Sequence, residues 1–313
     1  MLGILLEILP FFVLIGLGFG AVTVGIFNDE ATNYLTRFVF YFALSAMLFR
    51  FSATLPIKTL FDLPFGLAYL GGSALIYAVV TVISRLRGNG WAVSAVEAQC
   101  GVIGNVGFLG IPLIVSLLGE VAAGPVLFVL AIDLIVFGSL LVLVITASRE
   151  GAVSGAAVKR LGLSILQNPM LMSMAAGLIW SSLSFPVAGA FDRFLTVLGS
   201  AATPCALFAI GASLAGKSAE RPGTAAWLGF AKLFLHPMAV AGFALFVFEV
   251  DPFAAGVMVA AAAMPTAGNV FIVALHYGIA PARVSSTILV STIGSVVTLT
   301  IVIAWVLARS GTT

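Results

Sequence analysis

Hydrophobic positions in this chain are not interleaved with polar ones; they run together in long apolar stretches that short polar segments interrupt. A stretch of about 20 apolar residues crosses the hydrocarbon core of a bilayer as a helix. Strands of a membrane barrel would alternate apolar and polar residues, and these runs do not. The pattern predicts ten helices, at roughly 3–25, 34–52, 64–84, 91–118, 122–146, 164–184, 190–215, 224–248, 252–276 and 283–308. The longest interruption, 147–163, holds Arg149, Glu150, Lys159 and Arg160 and sets five helices in 1–150 against five in 151–313.

Composition points the same way. Only 8% of the 313 residues are charged and 61% are hydrophobic, with a mean hydropathy of +1.21. A soluble domain carries about 25% charged residues, so the expected fold is an all-α polytopic membrane protein with the lipid bilayer as its surroundings. A net charge of +2 is too small to suggest nucleic acid as a partner, and no basic cluster supports one. Cys100 and Cys205 fall inside helices, far from any CxxC or CxxH spacing, and read as small buried apolar residues, with no metal site. The first run carries Glu7 and no basic segment before it, as a retained span does and a cleaved signal does not.

Lysines and arginines orient the chain, because cytoplasmic loops are enriched in them. One face collects nine: Arg37, Arg85, Arg87, Arg149, Lys159, Arg160, Lys217, Arg221 and Arg283. The other has four, Arg50, Lys58, Arg193 and Arg309, with Lys232 set aside as intramembrane. The first face is therefore expected in the cytoplasm and both termini outside.

The stretch GNVGFLGIP at 104–112 breaks the apolar pattern, and its Gly104-Asn105-Val106 recurs as Gly268-Asn269-Val270, 164 residues on. A weaker echo, Phe42-Ala43-Leu44 against Cys205-Ala206-Leu207, has nearly the same shift. Each GNV lies in the fourth helix of its half. Because five is odd, the second half enters the membrane from the opposite side, so the chain reads as two inverted five-helix repeats. Unwound backbone survives at mid-membrane only when buried in protein or lining a watery cavity. Helices four and nine are therefore expected to be broken and to cross near the bilayer centre. Pro112 suits the first turn of a new half-helix, where its missing N–H is no loss, and Pro265 is expected to do the same in helix nine. The exposed half-helix N-termini carry free N–H groups and about half a positive charge, which favours a small carboxylate. Glycine and proline also serve close packing in membrane helices, but two matched copies favour the break.

These residues resemble the auxin efflux carrier family of secondary transporters, whose bacterial members include malonate and malate carriers. The resemblance covers nearly the whole chain: GNVGFLGIPL at 104–113, MPTAGNVFIVALHYG at 264–278, NPMLMSMAAGL at 168–178, TPCALFAIGASLAG at 203–216 and KLFLHP at 232–237. It implies ten helices in two inverted repeats, similar to bile-acid sodium symporters, in a bacterial inner membrane. It also implies a scaffold of helices one, two, six and seven that forms a homodimer, and a moving transport part of helices three to five and eight to ten. The family's crossing prolines carry over to Pro112 and Pro265 and its crossing asparagine to Asn105; Asn269 matches the bacterial pattern. Plant members often have proline where Gly104 stands, and that departure, with the short cytoplasmic loop, counts against indole-3-acetate as the substrate.

Other intramembrane polar residues are candidates for coupling. Asp133, in VLAIDLIVF, costs about 2.5–3.5 kcal/mol at a helix centre, so it is expected to be partnered, protonated or functional. Glu97 and Gln99 precede the helix-four break, Glu97 as a cavity-lining, proton-carrying, snorkelling or capping group. Lys232 and His236 share a helix face at i, i+4. Lys232 either snorkels to the cytoplasmic boundary or pairs with Asp133 or Glu97 in place of a bound cation, which favours protons over sodium as the coupling ion. His236 either titrates or is a structurally bonded imidazole beside Pro237, bending the helix. His276 reads as interfacial, and Gly16-x-Gly18-x-Gly20 as close helix packing, since no strand precedes it.

The expectation is a secondary carrier for a mono- or dicarboxylate, with no cofactor, working by an elevator or rocking movement. Its substrate would meet Asn105, Gly107, Pro112, Pro265, Thr266 and Asn269. A channel of the same fold is the alternative. An intramembrane enzyme is disfavoured, because a central second aspartate and a Ser–His pair are both lacking.

Overall fold

The structure is a computed structural model that describes residues 2–54, 62–150, 155–215 and 222–310. Lys58, Lys217 and Arg221, three of the charges used to orient the chain, lie outside these residues. Regular structure among the described residues is helical, apart from one isolated antiparallel bridge between Gly104 and Thr266.

The helices are α1 (Leu2–Thr23), α2 (Asp29–Thr54), α3 (Leu63–Leu86), α4 in two pieces (α4a, Trp91–Val102; α4b, Val106–Leu118) and α5 (Glu120–Arg149). They continue with α6 (Pro169–Ser182), α7 (Gly189–Leu214), α8 (Pro222–Val247), α9 in two pieces (α9a, Pro252–Ala262; α9b, Gly268–Tyr277) and α10 (Pro281–Ser310). Among the described residues, α2, α3, α5, α7, α8 and α10 are each long and apolar enough to cross a membrane unaided. The fold is that of an all-α polytopic membrane protein. Both pieces of α4 and of α9 are too short to cross alone.

Two boundaries differ from the hydropathy pattern, and caps explain both. α2 starts at Asp29 and not near 34, because the Asn28 side chain accepts the Ala31 N–H at 2.8 Å and starts the helix in polar sequence. The interruption at 147–163 is largely helical: α5 runs through its first residues and a connecting helix, Gly155–Leu166, follows. α6 then starts at Pro169, not at 164, since Asn168 caps it by accepting the N–H groups of Met170 at 3.0 Å and Leu171 at 3.4 Å. Pro169 occupies the first turn, where no N–H is needed.

α1 packs along α7, and α2 against α6 and α7, while α3, α4a, α5, α8, α9a and α10 pack on one another. The α1–α7 contact depends on bare backbone. A Cβ on Gly211 would lie 1.8 Å from the Ile15 carbonyl oxygen, and one on Gly18 1.9 Å from that of Phe208. The glycine-rich start of the chain is thus a packing surface.

Three helices near the breaks contain a widened turn, in which an N–H reaches back five residues: Gly110 to Asn105, Gly138 to Asp133 and His236 to Ala231. Proline accounts for two of them. The ring of Pro112 would clash with the carbonyl of Phe108, and that of Pro237 with the carbonyl of Leu233; an extra residue in the turn makes room. No proline stands behind the turn that Asp133 opens.

Candidate functional site

Residues 103–105 and 263–267 are where α4 and α9 lose their helical hydrogen bonds, and each break supplies the other's partners. The Asn105 N–H donates to the Pro265 carbonyl at 2.8 Å, and the Ala267 N–H to the Ile103 carbonyl at 3.0 Å. The Thr266 hydroxyl donates to the Cys100 carbonyl at 2.9 Å, replacing the donor that the next turn of α4a would have brought. The Thr266 N–H in turn donates to the Ser291 hydroxyl of α10 at 3.1 Å. Backbone groups that hydrocarbon cannot satisfy are thereby paired inside the protein.

Asn105 stands at the start of α4b. Its carbonyl accepts the N–H groups of Leu109 and Gly110, at 3.1 and 2.9 Å, but its amide does not cap the helix. The first N–H groups of α4b therefore have no intrahelical acceptor. Ala267 directly precedes α9b, which likewise has no side-chain cap, and its first residues, Gly268 and Asn269, are exposed. No atom lies within 4 Å of where a Gly268 Cβ would be. Gly107 is buried in the first turn of α4b against Met170 of α6.

The prolines take other places than expected. α4b begins at Val106, so Pro112 lies beyond its first turn, at the exit of the widened turn. Pro265 lies within the α9 break, and α9b begins only at Gly268. Thr266 is fully engaged in holding the two breaks together.

Behind the paired breaks is a cluster of buried polar side chains. Lys232 and His236 are both fully buried, so Lys232 does not snorkel. The Lys232 ammonium donates to the Ala262 carbonyl at the C-terminus of α9a, where the helix dipole favours a cation, and lies 3.0 Å from His236 Nδ1. His236 Nδ1 is itself 3.2 Å from that carbonyl, and its Nε2 is 2.9 Å from the Ser73 hydroxyl. A Cβ on Gly104 would lie 3.3 Å from Lys232 Nζ and 3.2 Å from the Ala261 carbonyl oxygen, so glycine lets the lysine reach the break. Asp133, 3% exposed, accepts the Tyr69 hydroxyl at 2.7 Å on Oδ1, while Oδ2 has no hydrogen-bond partner among the described residues.

Glu97 is elsewhere engaged. It is buried and ion-paired with Arg283 at the start of α10, which excludes both snorkelling and a pairing with Lys232. Lys232 makes no salt bridge with Asp133 either: its contacts are His236 and Ala262. Arg149 donates to the Tyr277 carbonyl and caps the end of α9b, with its guanidinium 5.6 Å from the centre of the Tyr277 ring. His276 is exposed and stacks edge-on with Tyr277. Among the described residues, no group of three His, Cys, Asp or Glu side chains is arranged to hold a metal ion.

Two broken helices thus satisfy each other's backbone, with buried lysine and aspartate side chains behind them. The family of membrane transport proteins matches residues 4–303. The chain belongs to that family. The resemblance to the auxin efflux carriers is borne out, and the protein is a membrane transporter, which sets the enzyme alternative aside. It is also 33% identical over 297 residues to a protein of Rhizobium meliloti (strain 1021) named "Putative malonate transporter", an alignment covering 94% of this chain and 92% of that one.

Several residues of this transporter's cluster escaped the sequence reading. Tyr69 and Ser73 lie one turn apart on α3, and Thr287, Ser291 and Ser295 form a stripe at the same spacing on α10. Such i, i+4 polar stripes in apolar helices were the available signal. Arg283 had been counted only as a loop charge.

Proposed function

We propose that this transporter is a secondary carrier of small organic anions, with malonate and related dicarboxylates as its substrates. The observation that carries the reading is the mutual pairing of the two breaks, with uncapped N-termini and the amides of Asn105 and Asn269 beside them. A carboxylate there would accept backbone N–H groups from both half-helices and compensate their positive ends. Gly107 lets Met170 pack closely under the start of α4b beside the site, Pro112 and the widened turn shape it, and Pro265 and Thr266 hold the partner break. The name of the Rhizobium relative supports malonate as the first substrate to try.

In this reading the halves 1–150 and 151–313 are inverted repeats whose fourth helices cross at mid-membrane. The packing groups correspond to a scaffold of α1, α2, α6 and α7, which dimerises, and an elevator-like transport part of α3–α5 and α8–α10. Protons are the coupling ion. Lys232, lying against the C-terminus of α9a, fills with its own charge the place where a sodium ion would be welcome, and Asp133, His236 and Glu97 are the other coupling candidates.

The test is counterflow in proteoliposomes. Vesicles loaded with unlabelled malonate should accumulate labelled malonate saturably, independently of sodium, and Asn105→Ala should lower the rate at least about tenfold while leaving the protein folded. Malonate flux without counterflow would make the protein a channel, and wild-type transport by Asn105→Ala would move the site elsewhere.

A further inference from the structure

Asp133 and Lys232 are not in contact, yet other polar side chains lie between them. From Asp133 Oδ1 the next atom is the Tyr69 hydroxyl, at 2.7 Å. One turn along the same face of α3 is Ser73. Ser73 Oγ lies 2.9 Å from His236 Nε2, and His236 Nδ1 lies 3.0 Å from Lys232 Nζ. Tyr69, Ser73, His236 and Lys232 are fully buried, and the Tyr69 and His236 rings meet edge-on with centroids 6.0 Å apart.

We infer that Tyr69, Ser73 and His236 relay a proton between Lys232 and Asp133, so that the five side chains act as one proton-carrying unit. This rests on the carrier reading above only for its use in coupling. In the charged state Lys232 donates to Nδ1, Nε2–H to Ser73, and Tyr69 to the Asp133 carboxylate, and the Ser73 hydroxyl turns toward Tyr69 for the next step; once Nδ1 carries a proton, the Ala262 carbonyl at 3.2 Å is its acceptor. In the relay each donor passes its proton one place on. Lys232 loses an N–H and Nδ1 gains one; Nε2–H breaks as the Ser73 O–H is replaced; Ser73 gives its proton to Tyr69, and Tyr69 gives its own to Asp133. The products are a neutral amine, a neutral imidazole of the other tautomer, two hydroxyls and a carboxylic acid, so atoms and charge balance without a further reactant.

The surroundings leave these groups to one another. Among the described residues, neither Asp133 nor Lys232 is in a salt bridge with another side chain. From α4a and α10, Glu97 and Arg283 neutralise each other, and α9a presents the Ala262 carbonyl. The consequence is mechanical. A charged Lys232 holds the end of α9a through Ala262, and a neutral one holds it less, so the proton's position is coupled to the break at which an anion would bind.

The relay is tested first on the purified protein, where no substrate is needed. Infrared difference spectra across a temperature ramp below unfolding should show the carboxylic acid band of Asp133, assigned by its loss in Asp133→Asn, changing together with the tautomer of isotope-labelled His236. Tyr69→Phe and Ser73→Ala each remove one hydroxyl and should uncouple the two signals. In proteoliposomes the same variants should exchange malonate at the wild-type rate but lose at least about tenfold of the uptake driven by a pH gradient. Signals that stay coupled in both variants would overturn the relay, as would equal loss of exchange and gradient-driven uptake, which marks a structural role. If the wild-type protein exchanges no carboxylate, the carrier reading fails, while the spectra still decide the relay.

Discussion

The hydroxyl of Thr266, in the break of α9, donates to the carbonyl of Cys100, in the last turn of α4a, across 2.9 Å. The two residues belong to opposite halves of the chain, and neither helix can close its own hydrogen bonds there. Thr266→Val keeps the shape and removes the donor, leaving a buried carbonyl unpaired. The expected cost is about 1–3 kcal/mol, seen as a lower Tm in detergent, with Thr266→Ser close to wild type. An unchanged Tm in the valine variant would show that the break is held by other bonds.

Lys232→Met takes away the donor to Ala262 and the countercharge to Asp133 together. The Ala262 carbonyl left without its donor is expected to cost about 1–3 kcal/mol, and the buried Asp133, left without an opposite charge in its cluster, adds to that. Adding Asp133→Asn should recover the second part of the loss, because the remaining charge goes too. A double-mutant cycle by thermal or denaturant unfolding measures the coupling; simple additivity would mean that the two groups do not sense each other.

Gly211→Ala would put a Cβ 1.8 Å from the Ile15 carbonyl oxygen, and the backbones of α1 and α7 have to separate. A loss of about 1–3 kcal/mol is expected. Gly16→Ala, next to Ile15 on α1 but with nothing within 4 Å of its Cβ, should leave the Tm unchanged. The difference between the two variants is the measurement, and equal effects would argue for helix propensity instead of packing.

Orientation is open to direct labelling. With Cys100 and Cys205 replaced by alanine, Lys159→Cys on the exposed face of the connecting helix should react with an impermeant maleimide only in inverted vesicles. A C-terminal tag should be accessible only in right-side-out cells. The reverse pattern would invert the topology derived from the nine and four basic residues.

Much of the fold could be read along the chain, and the repeated GNV marked both interrupted helices. The role of each proline could not. Pro112 and Pro265 differ in their distance from the GNV, and only the assembled breaks show one widening a turn and the other offering its carbonyl to Asn105. Helix ends were also misjudged where a side chain does the capping. Asn28 starts α2 inside polar sequence and Asn168 delays α6, and hydropathy is blind to both.

The amino-acid sequence by itself determined that this protein lives in a membrane, that it crosses as helices, and that α4 and α9 are interrupted. Those features follow from composition and local spacing, because hydrocarbon offers the backbone no partner other than its own chain. Tertiary structure alone decided that Glu97 pairs with Arg283 and not with Lys232, that Tyr69 donates to Asp133, and that His236 stands between Lys232 and Ser73. Such pairings depend on how far each helix is turned and slid against its neighbours. A shift of a single turn, about 5.4 Å along a helix axis, would exchange one set of partners for another without altering any local pattern.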